Sequence, residues 1–363
     1  MKNTLLASTA LVAFAGAAFA EGHTGISFSG SASLGYNSSD NVPFVGDDNE
    51  GFYSDLDLVA GFAAELDNGL TAAASLNLDN LDGTGSATEQ GYDYTLSLTS
   101  ETAGLYYGDT SFAAENHWAS AGDMESDGFS EADGEVVLRG DVTFGDVSAS
   151  ISYALADANN LDNVIDDLTQ LSVGVSADLG TFNVALAFQE ETLEAYAGNG
   201  DFTANEVFGL SVGTTFGGAD VRIAYADNDT SDSLGVKASF PAGPVVATVY
   251  FVSESVGDDN MGINLAYSDG PLAVSLDVQD DQGVSKVGLE GSYDMGNGMT
   301  AFAGYLTTDN ASEDRFYVAG NYDLGSGASV LVSYASDESN EDGDEIGAGD
   351  YQDGTTVELS FAF

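Results

Sequence analysis

The chain has 363 residues with 60 acidic and 6 basic side chains, so its formal net charge at pH 7 is −54. This imbalance excludes nucleic acid as a partner, because phosphate binding requires clustered Lys and Arg. With no Cys and only two His, His23 and His117, the chain has neither a disulfide scaffold nor a thiolate metal site, and almost no material for histidine catalysis or zinc binding. The length permits two soluble domains or one large β structure, and the periodicity decides between them.

The first twenty residues have the pattern of an export signal. Lys2 provides a positive start, residues 5–18 carry no charge, and Ala18-Phe19-Ala20 forms a small-x-small cleavage site. The alternative, an uncleaved helical anchor, is disfavoured by the short apolar core. Cleavage predicts a single mature domain of residues 21–363, in which no other stretch is apolar enough for a membrane-spanning helix.

Apolar and polar residues alternate from Ile26 onward. Ile26, Phe28 and Leu34 occupy even positions, with serines at the odd positions around them. A period of two is typical of a β-strand with one apolar and one polar face. About twenty such segments follow one another to the end of the chain.

Tight turns alternate with long polar connections between these segments. The first tight turn is predicted at Asn68-Gly69, and others at Glu101-Thr102-Ala103, Gly145-Asp146, Gly180-Thr181, Gly217-Gly218, Pro241-Ala242-Gly243, Asp269-Gly270, Gly296-Asn297-Gly298 and Gly325-Ser326-Gly327. The long connections are acidic and rich in Gly, Ser and Asn, as at 37–51, 190–205 and 336–353. Short turns at one end and long loops at the other are typical of bacterial outer-membrane β-barrels.

Aromatic residues recur at two levels of the predicted strands. One set stands just before the tight turns: Phe144, Phe216, Phe240, Tyr267, Tyr293 and Tyr322. The second set lies toward the long loops: Tyr153, Phe188, Tyr225, Tyr305 and Tyr334. A membrane barrel needs aromatic rings at both interfaces, whereas a soluble β-sandwich does not need them at particular heights.

The basic residues of the mature chain all fall out of phase with the apolar positions. They are Arg139, Arg222, Lys237, Lys286 and Arg315. A Lys or Arg that faced lipid at mid-membrane would cost about 2–4 kcal/mol. A sandwich would also place charges on its wet face, so the aromatic levels are what favour the membrane. The sequence therefore predicts an all-β protein, an antiparallel transmembrane β-barrel with a polar interior.

Three segments carry a resemblance to a known family: GISFSG at 25–30, GLYYGD at 104–109 and VELSFAF at 357–363. Together with the repeated turns, they make the mature chain resemble the general diffusion porins of Gram-negative outer membranes, especially the acidic Rhodobacter-type porins. The resemblance implies a homotrimer in the outer membrane, in contact with lipid and lipopolysaccharide. It also implies that the terminal Phe363 is read by the outer-membrane assembly machinery. Because the family usually has sixteen strands, we expect sixteen to eighteen, although about twenty segments alternate.

The longest lapse in the alternation covers residues 109–135. It contains the acidic residues Glu115, Asp123, Glu125, Asp127, Glu131 and Asp133. A long connection without periodicity is usually functional or disordered. The resemblance implies that this is the family's third loop, which folds into the barrel and narrows the channel, with these carboxylates as the negative side of the constriction. The alternative is a solvated acidic loop outside the cell.

The family carries a basic cluster on the opposite wall of the constriction, and this chain departs from that pattern. Its five basic residues are scattered over many strands. Arg139, on the strand directly after the loop, is the best wall candidate, and Arg222, Lys237, Lys286 and Arg315 are weaker ones. Acidic groups in a narrow aqueous path concentrate cations and exclude anions. We therefore expect a cation-preferring porin for passive diffusion of small hydrophilic solutes, without enzymatic activity or a required cofactor.

Other interpretations remain open at this stage. The acidic clusters at 47–50, 258–260 and 341–345 offer oxygen ligands that suit calcium, although unspecific screening by divalent ions explains them as well. His117 beside Glu115 and Asp123 could act as a catalytic base, but an ordinary loop residue is favoured. A substrate-specific outer-membrane channel and a secreted acidic β-rich adhesin are the alternative functions.

Overall fold

The computed structural model describes residues 25–38, 51–79, 92–131, 136–156, 167–192, 205–309, 315–336 and 351–363. Within these ranges twenty strands form one sheet. They are β1 (Gly25–Asn37), β2 (Gly51–Glu65), β3 (Thr71–Leu78), β4 (Tyr92–Thr99), β5 (Ala103–Gly108), β6 (Val136–Phe144), β7 (Val147–Ala156), β8 (Asp167–Asp178), β9 (Phe182–Gln189), β10 (Val207–Phe216), β11 (Ala219–Asp227), β12 (Asp232–Ala242), β13 (Val245–Glu254), β14 (Asn260–Asp269), β15 (Leu272–Asp281), β16 (Val284–Gly296), β17 (Met299–Thr308), β18 (Arg315–Gly325), β19 (Ala328–Ser336) and β20 (Gly354–Ala362). A short helix, α1 (Ala113–His117), lies between β5 and β6. Among the described residues no helix has the length and apolarity to cross a bilayer.

The sheet closes on itself. Each strand pairs antiparallel with its neighbours in sequence, and β1 also pairs with β20, from Ser31 opposite Ala362 to Asn37 opposite Thr356. The predicted antiparallel barrel is confirmed, but the expected sixteen to eighteen strands are wrong, because the described residues form twenty. The physical reason is that every alternating segment pairs on both sides in the wall, so none is left over for the outer loops.

The polar positions of the strands face the barrel interior. On β7, Ser150 and Ser152 are 6% and 0% exposed, whereas Ile151 between them is 49% exposed. The basic residues follow the same parity, since Ile223 beside Arg222 and Phe316 beside Arg315 are on the exposed apolar face. The apolar face therefore points outward, toward the bilayer, and charges point inward.

The tight turns lie at or next to the predicted positions; Pro241 and Ala242 still belong to β12, so the turn predicted there is at 243–244. Residues 145–146, 217–218, 243–244 and 270–271 each connect two strands with only two residues. Gly145 has φ +61°, and Asn297 and Ser326 also adopt positive φ in their turns. Such backbone conformations suit hairpin turns, because their twist matches that of the paired strands. Both described chain ends, Gly25 and Phe363, lie at this end of the barrel, since Gly25 pairs with Ala63 near the turn between β2 and β3, and Ala362 N–H donates to Gly327 O in the last tight turn.

Candidate functional site: an inner loop across the barrel wall

The chain between β5 and β6 folds into the barrel. We call its described part, residues 109–131, the inner loop. Phe112, Ala113 and Ala114 of this loop have no exposed surface. The backbone N–H of Ala113 donates to Ser152 Oγ at 2.9 Å, and Ser152 belongs to the inward face of β7. The loop therefore lies inside the barrel, which confirms the predicted third loop and overturns the alternative of an external one.

Hydroxyl groups of the wall receive the start of α1. Ala113 N–H donates to Ser152, and Ala114 N–H donates to Ser172 Oγ of β8 at 2.8 Å. The first N–H groups of a helix have no partner within the helix, and Phe112 at the cap position offers no side-chain acceptor. The serine hydroxyls of the barrel wall thus replace a capping residue. The position of α1 therefore depends on these contacts with the wall rather than on a capping signal in its own sequence.

Inward-facing glycines let the loop approach the wall closely. A Cβ on Gly174 would lie 2.1 Å from Ala113 O, and a Cβ on Gly235 would lie 2.4 Å from Ala121 O. On β10, a Cβ on Gly209 would meet the Trp118 ring at 2.4 Å. These three glycines come from β8, β10 and β12, so they form a seat across alternate strands. Any larger side chain there would occupy space that the loop uses.

The tip of the loop is held by polar contacts to strands further around the barrel. Ser126 N–H donates to Ser233 Oγ at 3.0 Å, and Asn260 Nδ2 donates to Asp123 O at 3.1 Å. On its return, Ser130 N–H donates to Gln189 Oε1 at 2.7 Å. The loop consequently spans the wall from β6 to β14, which we call the loop-bearing wall.

Two small apolar clusters complete the seat. Trp118 packs against Phe129, with ring centroids 5.5 Å apart, and its Nε1 donates to Asp127 Oδ2 at 2.8 Å. Met124 and Ala121 pack on inward-facing small residues of β11 and on Val252 of β13. These contacts place apolar side chains under the loop, although the wall is otherwise polar.

The predicted acidic residues are distributed along the inner loop. Glu125 and Glu131 are exposed in the barrel interior, whereas Asp127 is engaged by Trp118. Asp133 lies outside the described residues. Burial, together with the nearby Glu131, raises the pKa of Glu115 above its usual range. The structure thus brings two carboxylates to the exposed surface of the loop: that of Glu131, and that of Glu125, which accepts a hydrogen bond from Asn260 Nδ2 at 3.1 Å.

Part of the acidic set meets the barrel wall. Carboxylate oxygens of Asp123, Glu125 and Asp281 at the end of β15 lie within 4.8 Å of one another. Lys286 Nζ contacts Asp281 Oδ2 at 2.8 Å and so already supplies this group with a positive charge. Of the acidic clusters predicted for calcium, 47–50 and 341–345 lie outside the described residues. Asn260 of the third cluster accepts a hydrogen bond from Gln282 N–H.

His117 is a seat residue that sequence reasoning treated as an ordinary loop position. Its ring nitrogens lie 2.8 Å from Ser176 Oγ and 2.8 Å from Ser150 Oγ, on β8 and β7. Both nitrogens are occupied by hydroxyl groups, so the arrangement with an orienting carboxylate that a catalytic base needs is not formed. Burial lowers the pKa of His117 below its usual value, and the positive charge of Arg139 adds to this while Asp141 opposes it.

We expect the seat of the inner loop to weaken in mild acid. The pKa of His117 is lowered only while the ring is buried against the wall, so the displaced loop binds a proton at His117 more readily than the bound loop does. The bound position of the loop therefore loses stability as pH falls through about 6.5. Single-channel recordings at about pH 7.5 and about pH 5.5 should show larger current fluctuations at the lower pH. A His117→Gln variant, which keeps a hydrogen-bonding side chain without this titration, serves as the control. Equal fluctuations in both proteins at both pH values would contradict the prediction.

Arg139 holds the beginning of the loop. Its Nη1 donates to the Ser111 carbonyl oxygen and to Ser111 Oγ at 2.6 Å, and its Nε lies 3.1 Å from Asp141 Oδ1. The guanidinium also lies over the Tyr106 ring, 4.7 Å from its centroid. Arg139 is only 8% exposed. The predicted wall residue therefore faces the interior, but on the same side as the loop and engaged with it.

The other basic residues do not form one cluster, because they lie on several different strands. Arg222 and Lys237 are direct neighbours on β11 and β12, on the loop-bearing wall. Lys286 pairs with Asp281, and Arg315 starts β18. A basic wall opposite the loop is not formed by the described residues.

Acidic residues line the side of the barrel opposite the loop. Strands β19, β20 and β1–β5, which we call the acidic wall, contain no Lys or Arg. Their inward-facing acids include Asp55, Asp57, Asp93 and Glu358. Tyr53 lies across Gly35 and donates its hydroxyl to Glu358 Oε2 at 2.7 Å, which holds that carboxylate against the wall. The interior is thus bounded by carboxylates on the loop and on the wall that faces it.

Comparisons with known proteins show that the chain is similar to porins. A model of the Gram-negative porin family matches residues 7–344. A porin of Rhodobacter capsulatus is 24% identical over 311 residues, which cover 80% of this chain and 96% of that protein. A solved mutant of Rh. blastica porin is 17% identical with a TM-score of 0.46, covering 93% of this chain and 100% of the other. A second mutant of the same porin is 17% identical with a TM-score of 0.45, at the same coverage.

Proposed function

The chain belongs to the Gram-negative porin family, and we propose that its barrel is a passive diffusion pore for small hydrophilic solutes that prefers cations. Family membership and the closed barrel make it a protein of the outer membrane, and membership of a porin family supports a channel rather than an enzyme. The interpretation as a secreted adhesin is thereby set aside.

The charge of the interior is the observation that carries the cation preference. The inner loop presents Glu125 and Glu131, and the acidic wall presents carboxylates from β2, β4 and β20 without a single Lys or Arg. The basic residues lie elsewhere: Arg139 is bound to the beginning of the loop, and Lys286 is paired with Asp281. Arg222 and Lys237 face the interior from the loop-bearing wall, on the other side from the acidic wall. Carboxylates that face each other across water raise the local cation concentration and repel anions.

We infer that the inner loop is the constriction. Its seat across β6 to β14 occupies part of the barrel cross-section, and a barrel of twenty strands is wide enough to keep an aqueous path beside it. The polar inward faces of the described strands support passage by size and charge rather than by chemical recognition.

In planar lipid bilayers with a KCl gradient, we expect the sign of the reversal potential to show that the channel prefers cations. Replacing both Glu125 and Glu131 by Gln should reduce that potential, because two carboxylates at the edge of the aqueous path are removed. Asp146→Asn removes one carboxylate at the tight turn between β6 and β7, away from the inner loop, and should leave the potential unchanged. A reversal potential of the opposite sign in the wild-type channel would overturn the proposal.

We further propose that the pore assembles as a homotrimer, and that Phe363 serves as its assembly signal. Phe363 is 64% exposed, and its backbone pairs with Gly30 in both directions at 2.9 and 3.0 Å. The side chain is thus free for recognition while the backbone closes the barrel. The mass of the unheated, detergent-solubilised protein measures the number of subunits.

Calcium at the acidic loops stays a prediction, which the effect of a chelator on that assembly tests.

A further inference from the structure

Two basic residues stand side by side in the pore, near the inner loop. Arg222 of β11 and Lys237 of β12 are direct register partners on the inward face. Side chains in this relation have Cβ atoms about 5 Å apart, and like charges so placed destabilise a sheet. The chain has only six Lys and Arg residues, and two of them share this unfavourable position.

Neither side chain is neutralised by a carboxylate in the part of the chain that the structure describes. Arg222 has three polar contacts, all to neutral groups: Ala119 O at 3.5 Å, Ser211 Oγ at 3.4 Å and Asn183 Oδ1 at 3.3 Å. Lys237 has no ion pair or hydrogen bond within those residues. Arg139 and Lys286, by contrast, each contact an aspartate.

The other register partners of the pair are uncharged, because Arg222 lies opposite Gly213 of β10 and Lys237 lies opposite Tyr250 of β13. Ser239, the next inward residue on β12, shares a hydrogen bond with Thr248. The next inward carboxylate on β11 is Asp220, nearer the tight turn, where it accepts a hydrogen bond from the Thr215 hydroxyl at 2.6 Å. Both bases are partly exposed to the interior. A solute in the pore can therefore contact both.

The pair lies on one definite side of the constriction. Ala119 O of the inner loop contacts Arg222, and Ala121 O lies over Gly235, the inward residue just before Lys237 on β12. From there both strands run to the tight turns at 217–218 and 243–244. Arg222 and Lys237 thus face the pore between the inner loop and the end of the barrel that carries the tight turns.

We propose that Arg222 and Lys237 form a weak binding site for small oxyanions, carboxylates or phosphates, on the tight-turn side of the inner loop. A guanidinium donates a fork of N–H groups that matches two oxygens of such an anion, and the ammonium adds a second charge from the neighbouring strand. Binding of the anion removes the repulsion between the two cations. The site goes beyond the proposed cation preference, since it concerns anions that have entered the pore from the tight-turn end.

The test is the partial block of the potassium current by an added oxyanion. Inorganic phosphate and succinate are added separately to each side of a bilayer that contains wild-type channels, with KCl adjusted to constant ionic strength. We expect at least one of the anions to reduce the current, and to do so more strongly from the tight-turn side. Block by phosphate alone or by succinate alone identifies which oxyanion the site accepts.

Variants assign the block to the pair. Lys237→Gln and Arg222→Gln should each weaken the apparent affinity about two- to fivefold, as expected for half-exposed ion pairs in water. Lys237→Arg should retain the block, and Arg315→Gln, which removes the same charge from the far end of the pore, should leave it unchanged. Absence of block in the wild type, or equal block in the wild type and the double Gln variant, would overturn the site. The reversal potential of the same channels reports cation preference separately.

Discussion

Replacing Gly235 by Val is expected to displace the inner loop and to increase the single-channel conductance. A Cβ at this position would lie 2.4 Å from the backbone oxygen of Ala121, which cannot rotate away as a side chain could. Overpacking of this kind costs about 1–3 kcal/mol, and about 2 kcal/mol changes the ratio of two states roughly 30-fold. The loop is held by single hydrogen bonds and small apolar contacts. Most of this cost therefore destabilises the state in which the loop is bound to the wall, and the loop is displaced.

The control for this prediction is Gly320→Val on β18. Gly320 is on the outward face and has no atom within 4 Å of the Cβ position, so the same substitution adds the same side chain without touching the loop. Gly235→Ala provides a smaller version of the change, in case the Val variant assembles poorly. Unchanged conductance in both Gly235 variants, with normal assembly, would show that the glycine seat does not hold the loop.

Arg139→Gln should produce the second large effect, a loss of stability together with a disordered start of the inner loop. The substitution removes the contacts to Ser111 and leaves Asp141 without its ion pair. Removing one partner of a buried pair costs about 3–5 kcal/mol, and the partial exposure of Asp141 places this case at about 2–4 kcal/mol. Denaturant unfolding of the detergent-solubilised barrel measures the loss, and current fluctuations report the loop.

Arg139→Lys distinguishes the geometry of this contact from its charge. A lysine keeps the charge but lacks the planar fork that reaches Ser111 and Asp141 together, so we expect it to recover only part of the stability. Arg315→Gln removes one positive charge elsewhere in the pore and should have a much smaller effect. If Arg139→Gln unfolded at the same denaturant concentration as Arg315→Gln, the role assigned to Arg139 at the beginning of the loop would be wrong.

The wall of the barrel could be predicted from short-range patterns. Ile151 and its two serine neighbours show why: successive side chains on a strand point to opposite faces, so their order alone separates lipid-facing from interior positions. The tight turns follow from residues that tolerate positive φ, such as Gly145. The strand number was underestimated only where the family's usual count replaced the count of alternating segments.

The seat of the inner loop could not be predicted in the same way. His117 and Trp118 carry no local signal for the serines and glycines that receive them, because these partners come from β7, β8 and β10, far away in sequence. Arg139 was predicted to face the pore as part of a wall, and only its contact with Ser111 shows that it holds the loop. The pairing of Arg222 with Lys237 likewise depends on the strand register.

By itself, the sequence determined that this protein is an outward-apolar, inward-polar barrel with an acidic interior, because alternation and charge are properties of neighbouring residues. Only the tertiary structure decided which wall the inner loop covers, which carboxylates face the water, and which basic residues remain without a carboxylate partner among the described residues. Those outcomes require contacts between residues about a hundred positions apart, such as Ser126 with Ser233. Such contacts form only after the strands have closed into a barrel and brought distant inward faces to the same height.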